Sequence, residues 1–226
     1  MTDHLTDELV APALPSAHRV RFPVSRLIVD PERFPDDKDE PMSGVGMGVI
    51  YEKASHGATL RAAPAPAARQ RLMQAYYFPH HAALDAAVSA SIERHGCCAV
   101  LDMHSFPSQA LPYELDQSGD RPDACIGTDP FHTPDELVDG LARGFSAAGL
   151  SVAIDRPFSG ALVPARHYRK DRRVLSVMVE MNRRLYLDET TGKAAEQFFR
   201  IQRVLAGVLG DLAPLPVALA GPHAAR

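Results

Sequence analysis

Three side chains at the ends of two apolar runs are the residues of this chain best suited to chemistry. Asp102 and His104 follow a run that ends at Leu101, and Glu180 follows a second run over residues 174–179. Apolar runs of this length are typical of buried strands, in which alternate side chains share a face. Asp102 and His104 are therefore predicted to lie on one side of a strand end, where open α/β sheets bind their ligands.

Glu180 and His104 each have two interpretations. A carboxylate at the end of an apolar strand must be paired, hydrogen-bonded or catalytic. Glu180 could form a structural salt bridge with Arg183 or Arg184, or act as a general base on a metal-bound water, since burial raises the pKa of a carboxylate. His104 could be a buried, hydrogen-bonded imidazole or a metal ligand oriented by Asp102. The residue types leave these alternatives open.

Arginines near the predicted strand ends could hold a substrate carboxylate through two parallel hydrogen bonds. They are Arg26, Arg33, Arg172, Arg173, Arg183 and Arg184. For any one of them alone, a surface position is the simpler interpretation. Cys125 is predicted to be inert, and no serine has the sequence context of a nucleophile elbow.

The composition is typical of a globular protein with one sizeable domain. The chain has 226 residues, of which 46% are hydrophobic and 23% charged, and a formal charge of −4. This charge gives no general attraction to nucleic acid or to anionic membranes, so neither is an expected partner. An odd number of cysteines indicates reduced thiols, and no apolar run is long enough to span a membrane, so we expect a cytoplasmic protein.

Helical and strand patterns alternate along the chain, which predicts an α/β fold with a mixed, mainly parallel sheet flanked by helices. The predicted strands cover residues 20–30, 49–51, 97–101, 151–154 and 174–181. The predicted helices cover residues 2–10, 67–76, 79–95, 133–148 and 194–209. Thr133 is predicted to cap the fourth helix. Residues 105–132 are predicted to be a long irregular stretch, which in a compact domain is usually functional or disordered.

A series of short segments, in one order over nearly the whole chain, carries a resemblance to a known family. The segments are Thr2-Asp3-x-x-x-Asp7-Glu8-Leu9, Ser25-Arg26-Leu27-Ile28-Val29-Asp30-x-x-Arg33, Glu40-Pro41-Met42 through Gly48-Val49-Ile50-Tyr51, Asp102-x-His104-Ser105-Phe106-Pro107-Ser108, Leu111-Pro112-Tyr113-Glu114, Arg121-Pro122-Asp123-x-Cys125-Ile126-Gly127-Thr128-Asp129, Ser159-Gly160-Ala161-Leu162-Val163-Pro164 and residues 176–189. The series resembles the N-formylglutamate amidohydrolases, relatives of the zinc carboxypeptidases and of aspartoacylase.

The resemblance implies a single domain of the zinc carboxypeptidase and aspartoacylase type. It also implies metal-assisted hydrolysis of N-formyl-L-glutamate to formate and L-glutamate, a reaction of histidine degradation. The implied cofactor is Zn²⁺, with His104 and Asp7 as ligands, Asp102 as the support of His104, and Glu180 as the catalytic base. The implied substrate-binding residues are Arg33, Arg26 and Arg183.

The chain departs from the family pattern in one segment. Family members usually begin with a strand that ends in Pro-His-Ser-Gly, whose histidine is a further metal ligand, and these 226 residues lack that motif. His4 or His18 could substitute for it. We expect an N-terminally truncated domain over residues 1–212, with weakened zinc binding, and a flexible tail over residues 213–226. The alternatives are a non-catalytic remnant and a deacylase of another N-acyl amino acid.

Overall fold

A computed structural model describes residues 2–114 and 116–212 of the chain. It divides them into two compact units. The first unit contains Thr2 and the described residues of 19–86 and 110–117, and the second contains residues 3–18, 87–109 and 118–212. The predicted tail over residues 213–226 lies outside the described residues. Within the described part of the chain, no helix is both long and apolar enough to cross a membrane.

The elements follow one another in a mixed α/β order. The helices are α1 (Thr6–Val10), α2 (Pro66–Leu72), α3 (Phe78–His95), α4 (Asp135–Ala147) and α5 (Phe198–Leu212). The strands are β1 (Cys98–Phe106), β2 (Ala124–Gly127), β3 (Val152–Ile154), β4 (Val174–Asn182), β5 (Leu187–Asp188) and β6 (Lys193–Ala194). Single turns of 3₁₀-helix cover Pro41–Val45 and Arg183–Leu185, and a π-helical turn covers Met73–Tyr77.

The second unit is built on a four-stranded sheet of order β1-β4-β2-β3. β4 is parallel to β1 and antiparallel to β2, and β2 is parallel to β3. The prediction of a mixed, mainly parallel sheet is therefore confirmed. Every residue of β4 is buried, because this strand has a neighbour on each side and is covered on its faces.

One face of this sheet forms the main hydrophobic core with α1, α4 and α5. Alternate residues of β4 supply its centre, and they are Val177, Val179 and Met181. The helices supply Leu9 from α1, Leu141 and Phe145 from α4, and Ile201, Leu205 and Leu209 from α5. Because side chains alternate along a strand, the intervening residues Ser176, Met178 and Glu180 face the opposite side of the sheet.

The first unit is organised around a buried carboxylate. Asp30 is wholly buried and accepts a hydrogen bond from the hydroxyl of Tyr51. The same carboxylate forms ion pairs with Arg26 at 3.2 Å and with Arg33 at 3.5 Å. Beside it lies a small apolar cluster of Val29, Val49, Ile50, Met73 and Tyr77. Asp30 therefore holds three polar side chains next to the core of this unit.

The strands predicted over residues 20–30 and 49–51 are wrong. Both segments are irregular, although the amide of Asp30 donates a hydrogen bond to the carbonyl of Val49 at 2.8 Å. The amide of Ile28 donates a hydrogen bond to the carbonyl of Ser25, which forms a turn. The β-forming residues of these segments pack in the apolar cluster but do not pair with another strand. Their hydrophobic pattern therefore indicates burial and does not indicate a strand.

The other boundaries differ in smaller ways. Helix α4 begins at Asp135, because the hydroxyl of Thr133 donates to the carbonyl of Ser176 at 2.6 Å and does not cap the helix. Residues 105–132, predicted to be irregular throughout, contain β2. The helices predicted over residues 67–76 and 79–95 are joined by the π-helical turn. The first predicted helix begins only at Thr6, and the last one runs over Phe198–Leu212.

Replacing Tyr51 by phenylalanine should destabilise the protein by about 1–3 kcal/mol, because the buried Asp30 carboxylate loses a hydrogen-bond donor. Urea unfolding measures the change as a shift of the midpoint, provided that the dependence of the free energy of unfolding on urea concentration is the same in both proteins. Tyr168→Phe is the control, since Tyr168 is 38% exposed. Equal unfolding midpoints for the two variants would contradict the role given to Asp30.

Candidate functional site

The pairing of β1 with β4 brings together the residues that the sequence singled out for chemistry. His104 is the register partner of Glu180 in this parallel pair. Neighbouring strands lie about 4.8 Å apart, and paired side chains project to the same face. Asp102 shares that face because it precedes His104 by two residues. His104 and Glu180 are both buried, at 8% and 9% exposure.

The imidazole of His104 lies between two carboxylates. Oδ1 of Asp102 is 2.8 Å from Nε2 on one side of the ring. Oδ2 of Asp3 is 3.4 Å from Nδ1 on the other side. Nδ1 of His104 and Oδ2 of Asp3 lie on the same side of the ring, and a histidine nitrogen with a carboxylate oxygen is a pair of donors of the type that Zn²⁺ takes in proteins.

A hydrogen-bonded chain fixes Asp3 in this position. Its Oδ1 accepts hydrogen bonds from the amide and the hydroxyl of Ser105, at 2.8 Å and 3.0 Å. Arg183 then donates to the hydroxyl and the carbonyl of Ser105, at 3.1 Å and 2.9 Å. Arg183, predicted to bind substrate, is thus buried and bonded to the strand that carries His104. These contacts tie the segment before α1 to the end of β1.

Asp3 is a residue that the sequence-based reasoning missed. Asp7, the predicted acidic ligand, is exposed in the first turn of α1, because this helix buries Thr6 and Leu9. The structure places Asp3 of the same segment against His104. Both aspartates belong to one matching segment. Asp3 precedes the start of α1 and contacts His104, whereas Asp7 lies within the helix and is exposed.

Arg26 and Arg33, the other predicted substrate-binding residues, lie in the first unit. There both guanidinium groups pair with Asp30, and the carbonyl of Arg33 accepts a hydrogen bond from the hydroxyl of Tyr77 at 2.9 Å. Burial raises the pKa of Tyr77 to about 12, so this hydroxyl remains a donor at neutral pH. These contacts hold both arginines in defined positions within their own unit.

A loop covers part of the sheet face that carries Glu180. The hydroxyl of Ser176 donates to the carbonyl of Leu162 at 2.7 Å. At Gly127 a Cβ atom would lie 2.4 Å from the carbonyl oxygen of Gly160, so the close approach of loop and strand requires glycine. The loop therefore packs closely against the β2 side of this face.

Cys125 lies beside Glu180 as its partner in the antiparallel pair of β2 and β4. Its thiol donates to the carbonyl of Phe158 at 3.1 Å. Burial raises the pKa of the thiol to about 11, and the charge of Glu180 acts in the same direction. Cys125 therefore carries a proton at neutral pH, as expected for a cysteine that is not a nucleophile.

Alkylation should leave Cys125 unmodified in the folded protein at pH 8, because a pKa of about 11 allows only about one thiolate in a thousand. Iodoacetamide labelling followed by peptide mass spectrometry measures the modified fraction. The same reaction in concentrated urea is the control and should modify Cys125 fully. Rapid labelling of folded protein at pH 8 would contradict this assignment.

Comparisons with known proteins were made on both sequence and structure. The sequence model of the N-formylglutamate amidohydrolase family matches residues 1–187. The crystal structure of an N-formylglutamate amidohydrolase from Ralstonia eutropha JMP134 is similar at a TM-score of 0.81 and 27% identity, over 94% of this chain and 82% of that one. A gene product of Agrobacterium tumefaciens shares the fold at a TM-score of 0.57 and 19% identity, over 86% of this chain and 68% of that one. The search of curated proteins gives no match.

Proposed function

Because this chain belongs to the N-formylglutamate amidohydrolase family, we propose that it is a zinc-dependent enzyme that hydrolyses N-formyl-L-glutamate to formate and L-glutamate. The observation that carries the proposal is the register of β1 and β4, which sets Glu180 beside an imidazole flanked by two carboxylates. A histidine and a carboxylate that can bind a metal, together with a second carboxylate that can act as a base, are groups that metal-assisted hydrolysis of an amide uses.

His104 and Asp3 are the residues that would hold the metal. Asp102 contacts Nε2 of His104 and fixes the orientation of the ring, and Asp3 lies on the Nδ1 side. A bound Zn²⁺ supplies a Lewis acid that polarises the formyl carbonyl. Ser105 and Arg183 would not contact the metal. Ser105 hydrogen-bonds to the Asp3 carboxylate, and Arg183 hydrogen-bonds to Ser105, so both hold Asp3 in place.

Glu180 is the proposed general base and acid. In the first step, a water oxygen adds to the formyl carbon while Glu180 takes a proton from that water. In the second step, the bond between the formyl carbon and nitrogen breaks, and Glu180 returns the proton to the leaving amine. The products are formate and L-glutamate, and Glu180 ends in its starting state. Glu180 is buried, and burial raises the pKa of a carboxylate, which suits a general base.

The family resemblance assigns Arg26 and Arg33 to a carboxylate of the substrate, and we propose this role for them. Their guanidinium groups are planar and permanently charged, which suits two parallel hydrogen bonds to a carboxylate. The contacts with Asp30 hold both side chains in a fixed conformation, so less rotamer entropy is lost when a ligand binds.

Replacing Glu180 by glutamine should lower kcat for N-formyl-L-glutamate by about 10²–10⁴-fold with little change in KM, because the amide cannot accept the proton. Formate release by the zinc-supplemented protein is the measurement. Glu93→Gln, on the exposed surface of α3, is the matched control and should keep full activity.

Two results would contradict the proposal. The first is absence of formate release from N-formyl-L-glutamate by the zinc-supplemented wild type. The second is full activity of Glu180→Gln. Turnover of a different N-acyl amino acid in a substrate panel would assign the chain to the alternative of a deacylase with another specificity.

Zinc titration should distinguish the two candidate acidic ligands. Asp3→Asn should weaken zinc binding at least about tenfold, whereas Asp7→Asn should leave it unchanged, because Asp3 contacts His104 and Asp7 is exposed. His104→Ala should abolish specific binding. Calorimetry measures the affinities, and weaker binding by Asp7→Asn alone would restore Asp7 as the ligand.

A further inference from the structure

Arg121 is the most deeply buried arginine among the residues that the structure describes, at 3% exposure. Its guanidinium carbon lies 4.9 Å from the centre of the Phe106 ring and 5.8 Å from the centre of the Phe158 ring. The two rings also contact each other edge to face, with their centres 5.7 Å apart. Two aromatic side chains therefore fix the position of this cation.

The position of Arg121 relates it to the residues of the proposed hydrolysis. Phe106 follows His104 by two residues on β1, so the two side chains share a face. Asn182 is the last residue of β4. Its backbone N–H donates a hydrogen bond to the carbonyl of Asp123, and its side-chain Nδ2 donates one to the carbonyl of Pro122. These bonds hold the segment after Arg121 to the end of β4, two residues beyond Glu180.

The chemistry of this arrangement suits recognition of a carboxylate. Contact with an aromatic ring uses the face of a guanidinium, whereas its N–H donors lie in the plane of the group. A cation in such a water-poor environment binds an anion more strongly than one on the surface does. The guanidinium is planar and rigid, so it can donate two parallel hydrogen bonds to one carboxylate.

The spacing along β1 is comparable to the length of a glutamate side chain. Two residues of a strand span about 6.6 Å, which is the step from His104 to Phe106. In an extended glutamate, the nitrogen and the side-chain carboxyl carbon are about 5 Å apart, from four bonds of ordinary length. If the scissile amide lies at His104 and Glu180, the side-chain carboxylate falls within reach of a cation over Phe106.

We propose that Arg121 binds the side-chain carboxylate of the substrate and thereby selects acidic N-acyl amino acids. This inference rests on the amidohydrolase function proposed above. Arg121 is a specificity-determining residue, and the chemistry of bond cleavage does not pass through it. Phe106 and Phe158 are positioning residues, because they hold the guanidinium.

Kinetics with two nearly isosteric substrates test the proposal in the zinc-loaded full chain. Arg121→Met should raise KM for N-formyl-L-glutamate about tenfold to a hundredfold, the loss expected for charge-assisted hydrogen bonds, and change kcat less than about threefold. KM for N-formyl-L-glutamine, whose side chain is an uncharged amide, should change less than about threefold. Arg143→Met, on the exposed surface of α4, is the control and should leave both substrates unaffected.

The outcomes separate this inference from the proposed function. An unchanged preference for N-formyl-L-glutamate over N-formyl-L-glutamine in Arg121→Met overturns the role of Arg121, whatever the activity. Calorimetric binding of L-glutamate and L-glutamine needs no turnover. Tighter binding of L-glutamate that Arg121→Met abolishes supports the inference even if the wild type releases no formate, and failure of the wild type to prefer L-glutamate overturns it.

Because Arg121 is buried, its replacement by methionine could reduce the folded fraction. Arg121→Lys keeps the charge but replaces the planar fork by a single ammonium group. It should give a KM for N-formyl-L-glutamate between those of the wild type and Arg121→Met. Equal losses with both substrates, together with a lower melting temperature in both variants, would show a structural role only and overturn the inference.

Discussion

The parallel pairing of β1 with β4 is the constraint on which the rest of the site depends. It sets His104 beside Glu180, and a shift of one residue would turn one of the two to the opposite face of the sheet. The core prevents such a shift, because Val177, Val179 and Met181 pack against the helices. A slipped register would bury the Glu180 carboxylate among apolar side chains, which is strongly unfavourable.

The second constraint is a polar network that joins the segment before α1 to the strand that carries His104. Asp3 binds Ser105 and contacts His104, and Arg183 completes the hydrogen bonds of Ser105. The buried Tyr186 donates its hydroxyl to the carbonyl of His4, the neighbour of Asp3. Because several bonds fix the same short segment, the orientation of the imidazole follows from the fold and does not depend on one contact.

Much of the fold could be predicted from local sequence patterns. The apolar runs before Asp102 and Glu180 became β1 and β4, and the helices predicted over residues 79–95, 133–148 and 194–209 became α3, α4 and α5. The failures share a physical cause. Residues 20–30 have strand-forming side chains but form no ladder, and Thr133 bonds to Ser176 instead of capping α4. Both outcomes depend on partners far away in the sequence, which no local pattern contains.

The sequence by itself determined the family and the mixed α/β architecture, because the order and spacing of the matching segments can be read without knowing which residues are in contact. Only the tertiary structure decided which groups meet. It placed Asp3 against His104, while Asp7 remained exposed. It also brought Arg183 into hydrogen bonds with Ser105 and placed Cys125 beside Glu180. The physical reason is that strand register and the start of a helix, fixed by packing over the whole unit, determine where each side chain points.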